Sequence, residues 1–207
     1  AAAKAAGVAV ANTPGYSTEA VAQHTIALLL ELTNQVALHD RSIRDGDYFD
    51  IPYDCYFARP LTLLAGKTLG IIGYGNIGRK VGRIAAALGM DVIPYSKDPE
   101  AARRADVVSL HCPLTEETRG MINAGFIHGM KDGALILNTA RGSLVDEDAL
   151  AHALHTGKLA GAGLDVLIDE PPRREAPSPL LNAPNCVITP HNAWMPRETR
   201  QRLIHMA

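Results

Sequence analysis

TLGIIGYGNIGRKVGRIAAALGMDVIPYSK, residues 68–97, decides how the chain is read. An apolar, β-branched run at 69–72 meets Gly73-x-Gly75-x-x-Gly78. Behind it Ile77, Val81, Ile84, Ala85 and Leu88 fall on one helical face. The pattern is strand, tight turn, helix, and a second strand at 92–95 stands at the distance of a βαβ unit. In such a turn Gly73 permits an unusual backbone angle, Gly75 lets the main chain approach a pyrophosphate, and Gly78 lets helix and strand pack closely. The unpaired amides and the positive end of the helix dipole then face the phosphates, so the stretch predicts a dinucleotide site.

An acidic residue about 20 positions past the first glycine normally holds the adenosine ribose hydroxyls. From Gly73 to Ser96 is 23 positions, and the strand closes on Tyr95, Ser96 and Lys97 with no carboxylate. A carboxylate would repel a 2′-phosphate, whereas Ser96 and Lys97 offer it a hydrogen bond and a charge. The cofactor is expected to be NAD(P), with a lean towards NADP.

Outward from this stretch the alternation continues. Strands are predicted at 106–111, 134–138, 160–166 and 187–189, with helices at 122–130, 146–155 and 196–206 between or after them. Before it, Ser17 is a good N-cap for one long, largely buried helix over 20–38, and residues 8–11 form a short strand that opens the chain abruptly. Residues 48–60 are aromatic-rich and irregular, with two prolines, and read as an arm over a partner subunit or the active site. The class is α/β, a doubly wound parallel sheet of Rossmann type with right-handed crossovers.

Composition bounds the function. A chain of 207 residues with net charge -2 and 47% hydrophobic residues is an ordinary globular protein with no electrostatic footprint for nucleic acid. Apolar runs reach only five residues, as in 26–30, and no charged-then-apolar leader opens the chain, so neither a membrane span nor a membrane partner is expected and a cytoplasmic location is. Cys55, Cys112 and Cys186 are too far apart for a metal set and are read as buried thiols.

Ligands of such sheets bind at the carboxyl ends of the strands, and the polar clusters fall there: His111-Cys112-Pro113, Asn138-Thr139-Ala140-Arg141-Gly142, Asp165 and His191. Arg141 can hold a carboxylate bidentately. His191 can give a proton to a carbonyl oxygen or take one from a hydroxyl near neutral pH, with Glu170 or Asp169 to orient the ring and favour its charged form. Asp165 either contacts the nicotinamide side or caps the following loop. His24, inside an apolar helix, reads as a satisfied core histidine, and His111 borders the crevice.

The stretches GYGNIGRKVGRIAAALGM, HCPLTEETRGMIN, LILNTARGSLVDEDAL, GAGLDVLIDEPP and VITPHNAW, in this order, resemble the D-isomer-specific 2-hydroxyacid dehydrogenases, most nearly the glycerate dehydrogenase or hydroxypyruvate reductase branch. The resemblance implies that Arg141 binds substrate, Glu170 pairs with the proton-shuttling His191, and Asn76 and Ile77 contact the pyrophosphate. It further implies adenosine-side contacts from Cys112, Pro113 and Thr118, a nicotinamide end lined by Thr139 and Ala140, and Asp165 at the carboxamide region. The implied reaction joins NAD(P)H and a small 2-keto acid, and the implied assembly is a homodimer. Residues 14–195 would be the dinucleotide-binding domain, with 1–13 and 196–207 belonging to a substrate domain largely absent from this chain. A dinucleotide-sensing binding protein of the corepressor kind is the alternative, and a formate dehydrogenase is disfavoured because that branch is expected to pair its histidine with a glutamine.

Overall fold

The computed structural model describes residues 2–10 and 12–206. Six strands form one parallel sheet in the order β2-β1-β3-β4-β5-β6: β1 Thr68–Ile72, β2 Asp91–Pro94, β3 Val107–Leu110, β4 Ala134–Asn138, β5 Leu159–Leu164 and β6 Cys186–Ile188. The order reverses at β1, so β2 and β3 flank it. The helices are α1 Ala2–Ala5, α2 Thr18–Asn34, α3 Val36–Asp45, α4 Asn76–Ala87, α5 Pro99–Arg103, α6 Ala124–His128, α7 Glu147–His155 and α8 Arg197–Met206, and α2, α4, α5 and α7 pack directly on the sheet.

Two apolar cores lie on the two faces of the sheet. On one, Leu69 and Ile71 of β1 meet Val81 and Ala85 of α4 and Leu28 and Leu29 of α2. On the other, Ile72, Val108, Leu110 and Ile136 pack with Ile122, Leu144, Leu150 and Leu154. The four inner strands β1, β3, β4 and β5 therefore bury both faces, which is why they read as continuous apolar runs, while the edge strands β2 and β6 are only half-buried. Helix α2 lies close on β5 because Gly163 carries no side chain: a Cβ there would stand 3.0 Å from Leu28 Cβ and 2.9 Å from Leu137 Cδ2. That approach sets α2 beside the carboxyl ends of the strands.

Four expectations are corrected. Residues 8–10 form no strand and expose Val8 and Val10, while Ala11 lies outside the described residues. The long helix is two helices, because Gln35 takes a left-handed conformation (φ 49°) and its N–H closes α2 on Glu31 O at 2.8 Å. The helix expected over 122–130 shortens to α6, since Ile122 pairs with Val145 in an isolated parallel bridge and Asn123 caps the helix through Phe126 N–H. The thiol reading also fails at one position, as Cys55 is exposed while Cys112 and Cys186 are half-buried.

Residues 46–67 form no helix or strand, as expected for the arm, which is pinned along α3. Ser42 donates to Asp47 Oδ2 at 2.6 Å and Ala58 N–H donates to His39 Nε2 at 3.2 Å. No helix among the described residues is long and apolar enough to cross a membrane.

At the edge of the sheet opposite the strands' carboxyl ends, Asp106 ties β1 to β3. Its Oδ2 accepts the Thr68 N–H at 2.8 Å and the Thr68 hydroxyl at 2.9 Å, and Lys131 Nζ donates to Oδ1 at 2.6 Å. Partial burial opposes the charge, but Lys131 and Thr68 outweigh it and hold the carboxyl down at about 2. A depressed folded-state value stabilises above the ordinary carboxylate range and is lost as pH falls through it. Asp106→Asn is expected to cost about 1–2 kcal/mol at pH 7, after allowance for the exposed Lys131. Urea denaturation curves of the two proteins should converge as pH falls from about 4 towards 2.

Candidate active site

The glycine turn links β1 to α4. Gly73 sits at φ 94°, and a Cβ on it would lie 2.3 Å from the backbone nitrogen of Cys112. A Cβ on Gly78 would lie 2.3 Å from Gly73 O, so these two glycines let the turn close on β3 and on itself. Gly75 differs: nothing stands within 4 Å of the place a Cβ would take. It is the N-cap of α4, in extended conformation and with no side-chain cap, so the amides of the first helical turn, at Asn76 and Ile77, have no intrahelical acceptor. An open side beside a free helix start fits a phosphate group.

From this turn a crevice of about 640 Å³ runs along the carboxyl ends of β3, β4, β5 and β6. Ile77, Cys112, Pro113, Thr139, Ala140, Arg141, Asp165 and His191 line it, all anticipated from the sequence. Tyr16, Ser17, Val21 and Trp194 also line it and were not. Only their nearness to the N-cap of α2 and to His191 hinted at them. Ser96 and Lys97 are exposed just beyond β2. Thr118 does not reach the crevice: its hydroxyl donates to Pro113 O and accepts the Thr115 N–H, both at 2.8 Å, and so shapes the loop after β3.

Arg141 is exposed on the loop after β4. Buried Asn138 builds that loop by donating to Arg141 O at 2.8 Å and accepting the Ala140 N–H at 3.0 Å. Gly142 is required next to it, because a Cβ there would lie 1.9 Å from Leu167 O. This contact seats the Arg141 loop against the loop after β5, which carries Glu170. Thr139 is tied back to α2 by a 2.9 Å hydroxyl contact with Thr25.

Of the two acids offered for His191, Glu170 makes the bond. Its Oε2 is 2.8 Å from His191 Nδ1 and its Oε1 accepts the Leu167 N–H at 3.1 Å. A carboxylate only accepts, so Nδ1 carries a proton and Nε2 is left for a ligand. His191 itself is left-handed, at φ 53°, a conformation costly for a residue with a side chain. Asp165 holds it there: its carbonyl accepts the His191 N–H at 2.8 Å, and its buried carboxylate accepts the Thr189 hydroxyl (2.5 Å) and the N–H groups of Asn192 (3.0 Å) and Ala193 (2.9 Å). Of the two sequence readings of Asp165, loop capping is seen in these bonds, and its place in the crevice wall is compatible with the other. His24 is half-buried and bonds Thr189 Oγ1 at 2.8 Å, so it is satisfied, but by the loop that carries His191. The crevice's other imidazole, His111, contacts Ser109 Oγ at 2.8 Å, and burial pushes it down to about 4. It is neutral near pH 7 and carries no proton to donate as an acid.

A family model described as D-isomer specific 2-hydroxyacid dehydrogenase, NAD binding domain, matches residues 26–193. The chain belongs to that family. A hydroxypyruvate reductase from Blautia hydrogenotrophica is 46% identical over 99% of this chain and 68% of its own length. Among solved structures, D-lactate dehydrogenase from Aquifex aeolicus, complexed with NAD and lactic acid, aligns with a TM-score of 0.85 and 32% identity over 99% of this chain and 68% of that one. An acyclic imino acid reductase in complex with NADPH and D-Arg aligns with a TM-score of 0.85 and 32% identity over 99% and 67%. The chain thus spans about two thirds of the length of these relatives.

The two central glycines should separate in experiment. Gly73→Ala meets both a positive φ and backbone atoms and is expected to cost about 2 kcal/mol or more in a denaturation measurement. Gly75→Ala meets neither, so its melting temperature should match the parent while fluorescence titration shows NADH binding weakened by about tenfold or more.

Proposed function

We propose that the protein carrying this chain reversibly reduces a small 2-keto acid of the hydroxypyruvate or glyoxylate type to the D-2-hydroxy acid with NAD(P)H. The observation that carries this reading is the convergence of Arg141 and the Glu170-held His191 on one crevice that begins at the open glycine turn. The bound nicotinamide supplies the hydride to the carbonyl carbon. Arg141 holds the substrate carboxylate, and His191 Nε2 gives its proton to the carbonyl oxygen as charge develops there. Glu170 keeps the ring turned and stabilises the imidazolium, and the neutral ring regains a proton from solvent, to which 41% of its side-chain surface is open. In the reverse direction the same nitrogen takes the hydroxyl proton. A binding-only role has no use for such an acid–base pair.

Within this reading the amides of Asn76 and Ile77 receive the pyrophosphate, Cys112 and Pro113 border the adenosine side, and Thr139 and Ala140 line the nicotinamide end. The lean towards NADPH rests on Ser96 and Lys97, helped by the occupation of the nearby acid: Asp98 caps α5 by accepting the Ala101 N–H at 3.0 Å. The exposed apolar side chains of the arm, Phe49, Tyr53 and Phe57, suit a second copy of the chain and hence a homodimer.

His191→Ala is expected to lower kcat by about 10²–10⁴-fold while the NADH dissociation constant stays within about twofold, read by stopped-flow and by fluorescence titration. Equal loss of both would remove the assigned role. For the cofactor, kcat/KM should be no lower with NADPH than with NADH, and Ser96→Asp should move the ratio towards NADH by about tenfold. A clear NADH preference in the parent would overturn the lean.

A further inference from the structure

The imidazole of His24 belongs to no part of the chemistry just described, yet it reaches the loop that carries His191. Its Nε2 lies 2.8 Å from Thr189 Oγ1 and 3.4 Å from Asp165 Oδ1, with 24% of its side chain exposed. Thr189 gives its own proton to Asp165 at 2.5 Å, so its oxygen is left to accept, and His24 Nε2–H is the donor. The relay runs from helix α2 through a hydroxyl to a buried carboxylate. That carboxylate also takes the amides of Asn192 and Ala193, and the carbonyl of the same residue takes the amide of His191. The His191 N–H also meets Thr189 O at 3.0 Å, so the bonds that hold the strained His191 backbone lead to Asp165 and Thr189, and His24 is the donor that fixes the Thr189 hydroxyl in this network.

We propose that His24 is a positioning residue of the dehydrogenase site, holding Thr189 and Asp165 so that the left-handed His191 presents Nε2 to the substrate. The inference rests on the dehydrogenase reading above. Without the His24 donor, Thr189 Oγ1 is free to turn to Leu164 O, already 3.4 Å away, and the carboxylate loses its hold on one side of the loop. The proton donor is then displaced from its working geometry, which lowers the rate of proton transfer more than the binding of either ligand.

The full-length protein carrying His24→Ala should lose about tenfold or more in kcat, with KM for hydroxypyruvate and the NADH dissociation constant within about twofold of the parent. His24→Gln, whose amide nitrogen reaches about as far as Nε2, should restore most of kcat. Thr189→Val should reproduce the loss, and the double variant His24→Ala/Thr189→Val should be no worse than Thr189→Val alone, since both cut one relay. A second readout needs no turnover: the His191 Cε1–H resonance, assigned by its disappearance in His191→Ala, should move in His24→Ala and stay in His24→Gln. Multiplicative losses, a full kcat in Thr189→Val, or an unmoved resonance would overturn the inference. If His24→Ala does not fold, Thr189→Val and His24→Gln still decide it. Failure of the parent to reduce any 2-keto acid would instead remove the dehydrogenase reading, with the resonance still reporting whether His24 positions the ring.

Discussion

A buried carboxylate needs donors, and in this protein the supply of donors to Asp165 organises the site. Almost wholly shielded from solvent, the side chain of Asp165 would be costly to bury without partners. It is satisfied by one hydroxyl and two backbone amides, all from residues 189–193, on a segment that has just left β6. Charge-assisted bonds of this kind are among the stronger ones in a folded chain. Satisfying the acid and curling the loop are one event, and the curl is what turns the His191 ring towards Glu170 and the crevice.

Close approaches at glycine bring the other pieces to the same place. Leu167 O packs where Gly142 has no side chain, which joins the loops after β4 and β5 and so relates Arg141 to Glu170. Gly163 does the same for β5 and α2, and through α2 for Thr25 and His24, which bond Thr139 and Thr189. The crevice is thus assembled from the carboxyl ends of four neighbouring strands, β3 to β6, with α2 closing one side. A parallel sheet places those ends together without further design.

Much of this was legible in the sequence because it is local. The glycine turn, the strand and helix periods and the clustering of polar residues after each strand depend on neighbours a few positions apart, and the six-stranded parallel sheet followed from them. What escaped depends on partners far along the chain. His24 looks like a core histidine from its apolar helix, since Thr189 is 165 positions away. The bonds of Asp165 to 189, 192 and 193 lie equally far along the chain, so its loop-capping role could be named but not its partners. The break at Gln35 and the shortened α6 are cases where a left-handed residue or a stray bridge overrode a plausible helical period. Exposed Cys55 follows from the arm running over the surface rather than into a core.

The left-handed turn at His191 has a consequence for what evolution can place there. At φ 53° the backbone is comfortable for glycine and carries a cost for any residue with a Cβ, histidine included. A chain selected only for persistence would drift towards glycine at this position and gain conformational ease while losing the imidazole that the proposed reaction uses. The histidine is a standing concession of durability to chemistry, localised in one peptide unit.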